Sequence, residues 1–307
     1  MPERLTILAW HNVEPTWCYP APPGAGVRRL ERQLRRLARF AAVLPLESAL
    51  RTLRAGSPLP HRAVALTFDD GYKDVLDLAV PLLERLQLPA TFFLVPGLLG
   101  GEVRAWWELL GWAFANAGGE SVRWGHQVLP ARGPQGRRSY LWLSGRLRQM
   151  GRTERDQATS ELVERLRPQG RAGDRELFLD WLGARELVQR GFGVGSHSNS
   201  HAVLSRESPD EQFRDLVTAR RRLERGLGVP VRLLAYPSGQ PGEYDRDTVR
   251  AAERAGYWHA FTTDAGWNSP STPPLEGHRV VLEPHRTFTS QALRRAAARV
   301  APRALAR

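Results

Sequence analysis

Cysteine is almost absent from this sequence. Cys18 is the only one among 307 residues, so the chain cannot form an internal disulfide. A zinc site built from several thiolates is excluded for the same reason. Any metal ion has to be held by histidine and carboxylate side chains.

Long hydrophobic runs are also missing. No apolar stretch approaches the roughly 20 residues that a bilayer-spanning helix needs. Residues 1–5 lack the basic and then apolar pattern of a secretory signal. From these absences we expect a cytoplasmic location. Hydrophobic residues still make up 42% of the chain, which is enough for a full core.

Lysine is nearly absent too. Lys73 is the only lysine, so the formal net charge of +12 comes almost wholly from arginine. Arginine can bind phosphate and carboxylate groups with paired hydrogen bonds, which leaves open a phosphate-linked substrate or peripheral contact with an anionic membrane. The arginines are spread along amphipathic stretches such as 27–39 and 214–225, without a nucleic-acid-reading motif. We therefore expect no nucleic-acid partner.

Short apolar runs alternate with amphipathic stretches along most of the chain, and this alternation favours a parallel sheet or barrel. The apolar runs predict strands at 6–10, 63–68, 90–95, 193–196, 232–236, 259–263 and 279–282. The amphipathic stretches predict helices near 28–40, 74–87, 208–227, 244–255 and 288–299.

Residues 98–190 interrupt the alternation. Their pattern predicts a hairpin near 121–129 and helices at 137–150, 153–167 and 174–190. No linker-like composition separates this stretch from the rest. We therefore predict one domain over residues 1–307, with a mostly helical insertion at 98–190.

Two carboxylates follow the predicted strand at 63–68. Asp69 and Asp70 come directly after it, and the carboxyl ends of parallel strands face the ligand-binding side of such folds. Adjacent strand residues point in opposite directions, so one aspartate can bind a metal ion while the other lies beside it. An isolated Asp-Asp-Gly is more commonly a solvated turn.

Two histidines follow the predicted strand at 193–196. His197 and His201 are four residues apart, a spacing that puts both imidazoles on one face of a helical turn. Two histidines and one carboxylate leave a tetrahedral ion with an open position for water. The combination with the aspartates therefore predicts a hydrolytic metal site.

A third turn, Ala235-Tyr236-Pro237-Ser238-Gly239, follows the predicted strand at 232–236. Proline and glycine are explained by the turn alone. The functional interpretation is that the backbone after the proline bend stays open, so that an N–H can donate to an oxyanion.

The three strings, in this order, resemble the motifs T-F-D-D, H-[ST]-x-x-H and R-x-P-x-[GY] of the polysaccharide deacetylases of the nodulation-protein type, carbohydrate esterase family four. The third string resembles the branch in which this motif reads A-Y-P-x-G. The resemblance implies a distorted (β/α) barrel with fewer than eight parallel strands. It also implies hydrolytic removal of N- or O-linked acetyl groups from a sugar, an oligosaccharide or a glycan precursor.

Residue roles follow from the resemblance by position. It implies that Asp69 is the general base and that Asp70, His197 and His201 hold a divalent metal ion. Zinc is the first expectation, with cobalt or nickel as alternatives. It further implies that the backbone N–H of Tyr236 helps to hold the oxyanion.

The resemblance leaves two catalytic groups open. Ala235 stands where many members carry an arginine that braces the base, so another group has to orient Asp69. The general acid has two candidates: His285, the nearest match to the family's last motif, and His11, which ends the first predicted strand.

Other functions remain open from the sequence. One alternative is a hydrolase of small amides, formamides or cyclic ureides on the same scaffold. Another is a catalytically impaired carbohydrate-binding protein, for which the missing arginine is the best argument. The insertion, with Trp106, Trp107, Trp124 and Trp142, is the expected source of substrate selectivity, although buried packing is the commoner role of tryptophan.

Overall fold

The computed structural model describes residues 4–18 and 25–282. The predicted helix at 288–299 and the candidate acid His285 lie outside the described residues. The described strands are β1 (Thr6–Trp10), β2 (Ala42–Val43), β3 (Ala63–Phe68), β4 (Thr91–Leu94), β5 (Ser121–Trp124), β6 (Gln127–Pro130), β7 (Gly193–Ser196), β8 (Leu233–Ala235), β9 (His259–Phe261) and β10 (Val280–Val281). The described α-helices are α1 (Ala25–Phe40), α2 (Leu46–Arg54), α3 (Val80–Arg85), α4 (Pro96–Leu99), α5 (Trp106–Ala115), α6 (Gly133–Leu147), α7 (Arg152–Leu166), α8 (Trp181–Gln189), α9 (Pro209–Leu227) and α10 (Arg246–Arg254).

The main sheet is parallel and curls toward closure. Within the described residues its continuous path is β10-β1-β3-β4-β7-β8-β9, and the two-residue strand β2 pairs only with the first residues of β3. Gly277 pairs with Phe261 of β9, while Val280 and Val281 pair with β1. The segment 277–281 therefore pairs with β1 at one side of the sheet and with β9 at the other, and so links its two ends. The predicted distorted (β/α) barrel is confirmed.

Strand β3 is buried along its whole length because both faces of the sheet are covered. Phe68 packs outward beneath the surrounding helices, whereas Ala65 packs inward with Phe93 and Phe261. A barrel interior has little room, so small and large side chains alternate there. Asp69 continues the inward row of Ala65, and this brings its carboxylate to the inner rim of the barrel.

The insertion has an apolar cluster of its own. Leu110 of α5, Leu143 of α6 and Leu162 of α7 are fully buried within it. The predicted hairpin is present as β5 and β6, and the predicted helices at 137–150 and 153–167 correspond to α6 and α7. The predicted helix at 174–190 is wrong in its first part, because Asp180 accepts a hydrogen bond from the Gly183 N–H at 2.9 Å and starts α8 there.

Helix α9 begins and ends where the sequence predicts. The Ser208 side chain and Glu211 form a capping box, and Gly228 ends the helix with a φ of 71°. The helix packs against α8 and α10 and presents Asp215 to the turn that follows β7. Among the residues that the structure describes, no helix has the length and apolar character to cross a membrane.

Candidate active site

The ends of β3 and β7 bring three potential metal ligands together. The Asp70 Oδ1 atom lies 3.3 Å from His197 Nε2 and 3.1 Å from His201 Nε2. One ligand atom from each residue lies within 4.8 Å of the other two, and no other such group of three occurs in the described ranges. Asp70 and His197 are buried, and His201 is only partly exposed. The predicted ligand set is therefore assembled in space.

Hydrogen bonding determines which nitrogen of His197 is free. Its Nδ1 atom lies 2.8 Å from the backbone oxygen of Ala235, and a carbonyl can only accept, so Nδ1 carries the hydrogen. In the neutral ring that binding of a metal ion requires, the lone pair is on Nε2 and points toward Asp70 Oδ1. That oxygen is buried and has no hydrogen-bond partner among the described residues. A carboxylate oxygen facing an imidazole lone pair is unfavourable unless a cation lies between them, so the residues fit a divalent metal ion.

The two imidazoles meet through a loop and not through a helical turn. Ser198 and His201 have φ angles of 62° and 52°, in the left-handed region. Asp215 holds the loop by accepting the Asn199 N–H at 2.6 Å and the Ser200 hydroxyl at 2.5 Å. The spacing of the histidines was the right signal, but the helical geometry expected from it is wrong.

Asp69 is paired with an arginine from the other end of the chain. The Arg279 Nη1 atom lies 2.7 Å from Asp69 Oδ1, and both side chains are buried. Burial raises the pKa of Asp69, but the charge of the nearby Arg279 guanidinium leads the opposing effects, and the net pKa lies below the ordinary value. Arg279 also donates to the Thr262 carbonyl at 3.2 Å, which fixes its orientation.

Arg279 thus supplies the brace that the third motif lacks. From the sequence, Arg279 stands at the start of a predicted strand at 279–282 and, with residues 262–268 before it, resembles the later part of the A-Y-P-x-G branch, but the sequence assigns it no role. Its guanidinium lies over the inward-facing Phe93 ring, 5.4 Å from the centroid, and so occupies the barrel interior. Only the strand register brings it to Asp69, and no local pattern reveals that register.

The expectation for Tyr236 is wrong. Its backbone N–H donates to the Phe261 carbonyl at 3.0 Å, as part of the pairing between β8 and β9, and so cannot face an oxyanion in this structure. Its side-chain hydroxyl donates to the Leu275 carbonyl at 3.0 Å. The first N–H after the proline belongs to Ser238, and it has no hydrogen-bond acceptor within the described parts of the chain.

His11 lies at the same rim as the aspartates. It follows β1, and the carbonyl of the neighbouring Trp10 accepts the Asp69 N–H at 2.8 Å. Its side chain is partly exposed.

Backbone strain is concentrated around this site. Seven non-glycine residues of the described ranges have positive φ, and four of them lie in the three motifs. Such conformations cost of order 1–3 kcal/mol each and persist where the surrounding structure enforces them. The four are Asp70, Ser198, His201 and Ser238.

Comparison with protein families gives one match. The family model described as polysaccharide deacetylase matches residues 56–128 and 152–260. The matched ranges include both aspartates and both histidines. They leave out residues 129–151 of the insertion and the segment that contains Arg279.

Two curated relatives are similar in sequence. The Bacillus subtilis protein named "Putative polysaccharide deacetylase YxkH" is 20% identical over 285 residues, which cover 92% of this chain and 73% of that protein. The poly-beta-1,6-N-acetyl-D-glucosamine N-deacetylase of Escherichia coli K12 is 34% identical over 87 residues, but these cover only 28% of this chain and 13% of that protein.

Several solved structures are similar in fold, among them two with high coverage of both chains. The Streptococcus pyogenes deacetylase PplD in complex with acetate has a TM-score of 0.63 at 19% identity, covering 96% of this chain and 99% of that one. IcaB from Ammonifex degensii has a TM-score of 0.60 at 19% identity, covering 96% of each chain. At this level of identity the likeness concerns the fold.

Proposed function

The chain belongs to the polysaccharide deacetylase family, and from this premise we propose that it hydrolyses N- or O-linked acetyl groups of a carbohydrate with a divalent metal ion at Asp70, His197 and His201. One observation carries the proposal. The buried Asp70 Oδ1 atom has no hydrogen-bond partner in the described residues and lies against two imidazole nitrogens, beside a second buried carboxylate.

The donor set determines the kind of ion. Two imidazole nitrogens and one carboxylate oxygen suit zinc first, with cobalt or nickel as alternatives. Bound there, a divalent ion would lower the pKa of a water molecule and polarise the acetyl carbonyl. The His197 Nδ1 hydrogen bond to Ala235 orients that ligand, and the loop clamped by Asp215 orients His201.

Asp69 is the general base in this proposal. Arg279 keeps its carboxylate ionised despite burial, so Asp69 is ready to accept a proton from the attacking water near neutral pH. The ion pair also fixes one carboxylate oxygen and leaves the proton to the other. The arginine missing from the third motif therefore no longer argues for an impaired, merely carbohydrate-binding protein.

Two further groups complete the proposed reaction. The Ser238 N–H, which has no acceptor within the described ranges, is positioned by the turn after β8 to donate to the developing oxyanion. His11 is the proposed general acid, because it lies at the rim and can protonate a departing amine. His285 remains an alternative acid predicted from the sequence alone. An amide needs this proton more than an ester does, so the acid bears on whether N- or O-acetyl groups are removed.

The relatives support a class of substrate. The Escherichia coli relative is named for a β-1,6-linked N-acetylglucosamine polymer, which supports an N-acetylated oligosaccharide or glycan precursor as substrate here. A cytoplasmic location, contact with an anionic membrane or a phosphate-linked substrate, and the organisation as one domain stay predictions from the sequence.

Acetate release from a metal-free preparation tests the proposal. The protein is stripped with a chelator and assayed on β-1,6-linked N-acetylglucosamine oligomers, with and without zinc, cobalt or nickel. We expect activity only after metal addition, and a His197→Ala variant that stays inactive. Full activity of the stripped protein would contradict the metal assignment. Metal-dependent hydrolysis of small amides without activity on any acetylated sugar would favour the small-molecule alternative.

A further inference from the structure

Helix α5 of the insertion carries a fully buried glutamate. Glu108 is 0% exposed and forms no ion pair with any described arginine or lysine. Its carboxylate instead accepts three hydrogen bonds, from the Cys18 N–H at 3.2 Å, the Cys18 thiol at 2.9 Å and the Tyr72 hydroxyl at 2.8 Å. Burial and then Glu108 raise the pKa of Cys18, so its thiol keeps the hydrogen that it donates. A buried carboxylate is costly unless such donors surround it, so the arrangement calls for an explanation.

The hydrogen bonds continue toward the metal site. The Tyr72 hydroxyl donates to Glu108 and accepts the indole N–H of Trp107 at 2.8 Å. Since a hydrogen bond to a carboxylate is stronger than one between neutral groups, Glu108 fixes the Tyr72 hydroxyl as an acceptor for Trp107. Tyr72 itself comes two residues after Asp70, and its ring packs against Phe178 at 4.5 Å.

The indole of Trp107 ends this chain of contacts beside a metal ligand. Its ring centroid lies 4.4 Å from that of His201, with an angle of 43° between the planes. Trp106 and Phe178 contact it edge-on at 6.1 and 6.2 Å. The residue is only partly buried, although its neighbours Trp106 and Glu108 are buried. A partly exposed aromatic surface therefore adjoins the site where the acetyl group would be cleaved.

We propose that Trp107 is a substrate-binding residue that packs its indole ring against a sugar ring of the acetylated substrate, and that Tyr72 and Glu108 are positioning residues that hold this ring beside His201. The inference rests on the proposed function and deepens it. An aromatic ring offers a large, rigid apolar surface for a sugar, and binding sites combine such surfaces with a few oriented polar groups.

Two substrates separate sugar binding from cleavage. One is the β-1,6-linked pentamer of N-acetylglucosamine, and the other is glyceryl triacetate, which carries acetyl groups but no sugar ring. For Trp107→Leu we expect KM for the pentamer to rise about tenfold, with kcat/KM for glyceryl triacetate changed less than about twofold. Trp107→Tyr keeps an aromatic surface and should restore most of the affinity for the pentamer. Trp142→Leu is the matched control, because Trp142 is an exposed tryptophan of the same insertion.

A double-mutant cycle tests the positioning roles. Tyr72→Phe and Glu108→Gln should each raise KM for the pentamer about threefold, because Trp107 loses its fixed orientation. In the Trp107→Leu background these two changes should have no further effect on KM, since they act through Trp107. Additive effects in that background would overturn the positioning roles. Zinc content is measured for every variant and should stay at the wild-type level.

A measurement on the unmutated ring covers the case in which these variants do not fold. The wild-type protein is labelled with fluorinated tryptophan, and the signal of Trp107 is identified by its loss in Trp107→Phe. We expect this signal to shift on addition of the pentamer, while that of Trp142 stays in place. An unmoved Trp107 signal, an unchanged KM in zinc-loaded Trp107→Leu, or equal losses on both substrates would overturn the inference. Wild-type protein that releases acetate from neither substrate would instead contradict the proposed function.

Discussion

The barrel rim and the insertion each bury a carboxylate, but they treat it in opposite ways. Asp70 at the rim leaves Oδ1 buried without a hydrogen-bond partner in the described residues, whereas Glu108 in the insertion receives three hydrogen bonds. A buried polar atom without a partner costs free energy, and folded proteins keep such atoms mainly where a ligand supplies the partner. The rim could therefore hold an ion, whereas the hydrogen bonds in the insertion hold its own side chains in place.

The backbone also differs between the two regions, with left-handed residues at the rim and regular helices in the insertion. Three rim residues that flank or form the ligand set, Asp70, Ser198 and His201, have left-handed conformations. The insertion consists mainly of regular helices, and its left-handed Arg167 simply ends α7. Strain at the rim is consistent with a site whose ligands are held in place before the ion binds.

The largest expected effect is the loss of the metal ion. His197→Ala removes one of three ligands and should lower metal affinity by more than about 100-fold, since even partners outside the ligand set cost roughly 10- to 100-fold. Metal analysis after gel filtration should find almost none in this variant. Glu108→Gln is the control and should keep the wild-type metal content. Stoichiometric zinc in His197→Ala would show that the rim residues named here do not hold the ion.

The next effect concerns turnover with the metal in place. Asp69→Asn should keep the metal content but lower kcat about 10³-fold, because the amide cannot accept the proton. Acetate release by the zinc-loaded variant measures this. Wild-type turnover in Asp69→Asn would mean that the base lies elsewhere at the rim.

A smaller effect is expected for the brace. Arg279→Met removes the charge that offsets the burial of Asp69, so the pKa of Asp69 should rise. The acidic limb of the kcat profile should then move to higher pH, and at a fixed pH on that limb turnover should fall about tenfold for each pH unit of the shift. A lower kcat without any shift of this limb would show that Arg279 orients Asp69 without setting its charge.

The smallest effect belongs to the insertion and is one of stability. Glu108→Leu leaves the Tyr72 hydroxyl and the Cys18 N–H without their acceptor, and each such group costs about 1–3 kcal/mol in free energy of unfolding. Urea unfolding of the variant and the wild type measures the loss. If Glu108→Leu lost the metal ion but kept its stability, Glu108 would serve metal binding and not the packing of the insertion.

Much of the barrel could be predicted because most of its strands are short, mainly apolar runs. The strands predicted at 6–10, 63–68 and 193–196 agree with β1, β3 and β7 to the residue. Strand β2 was missed because it has only two residues. Helix α5 was not predicted, since its hydrophobic side chains surround it and hide the helical period.

The site was predictable where its residues are close in sequence. The two aspartates are adjacent and the two histidines are four residues apart, so each pair is visible in a single short motif of the sequence. Tyr236 was misassigned because the sequence does not tell which N–H groups the sheet uses. The Arg279 brace depends on the register of strands far apart in the chain, and the role of Glu108 depends on how α5 packs.

The pairing of Asp69 with Arg279 has a consequence for the time at which the enzyme becomes active. The two residues are 210 positions apart in the sequence, so a growing chain contains the proposed general base long before its brace has been made. Until the segment around β10 joins the sheet, Asp69 lacks the cation that keeps it ionised after burial. A nascent chain therefore contains all three proposed metal ligands before it contains Arg279, and the proposed base gains this cation only when the barrel closes.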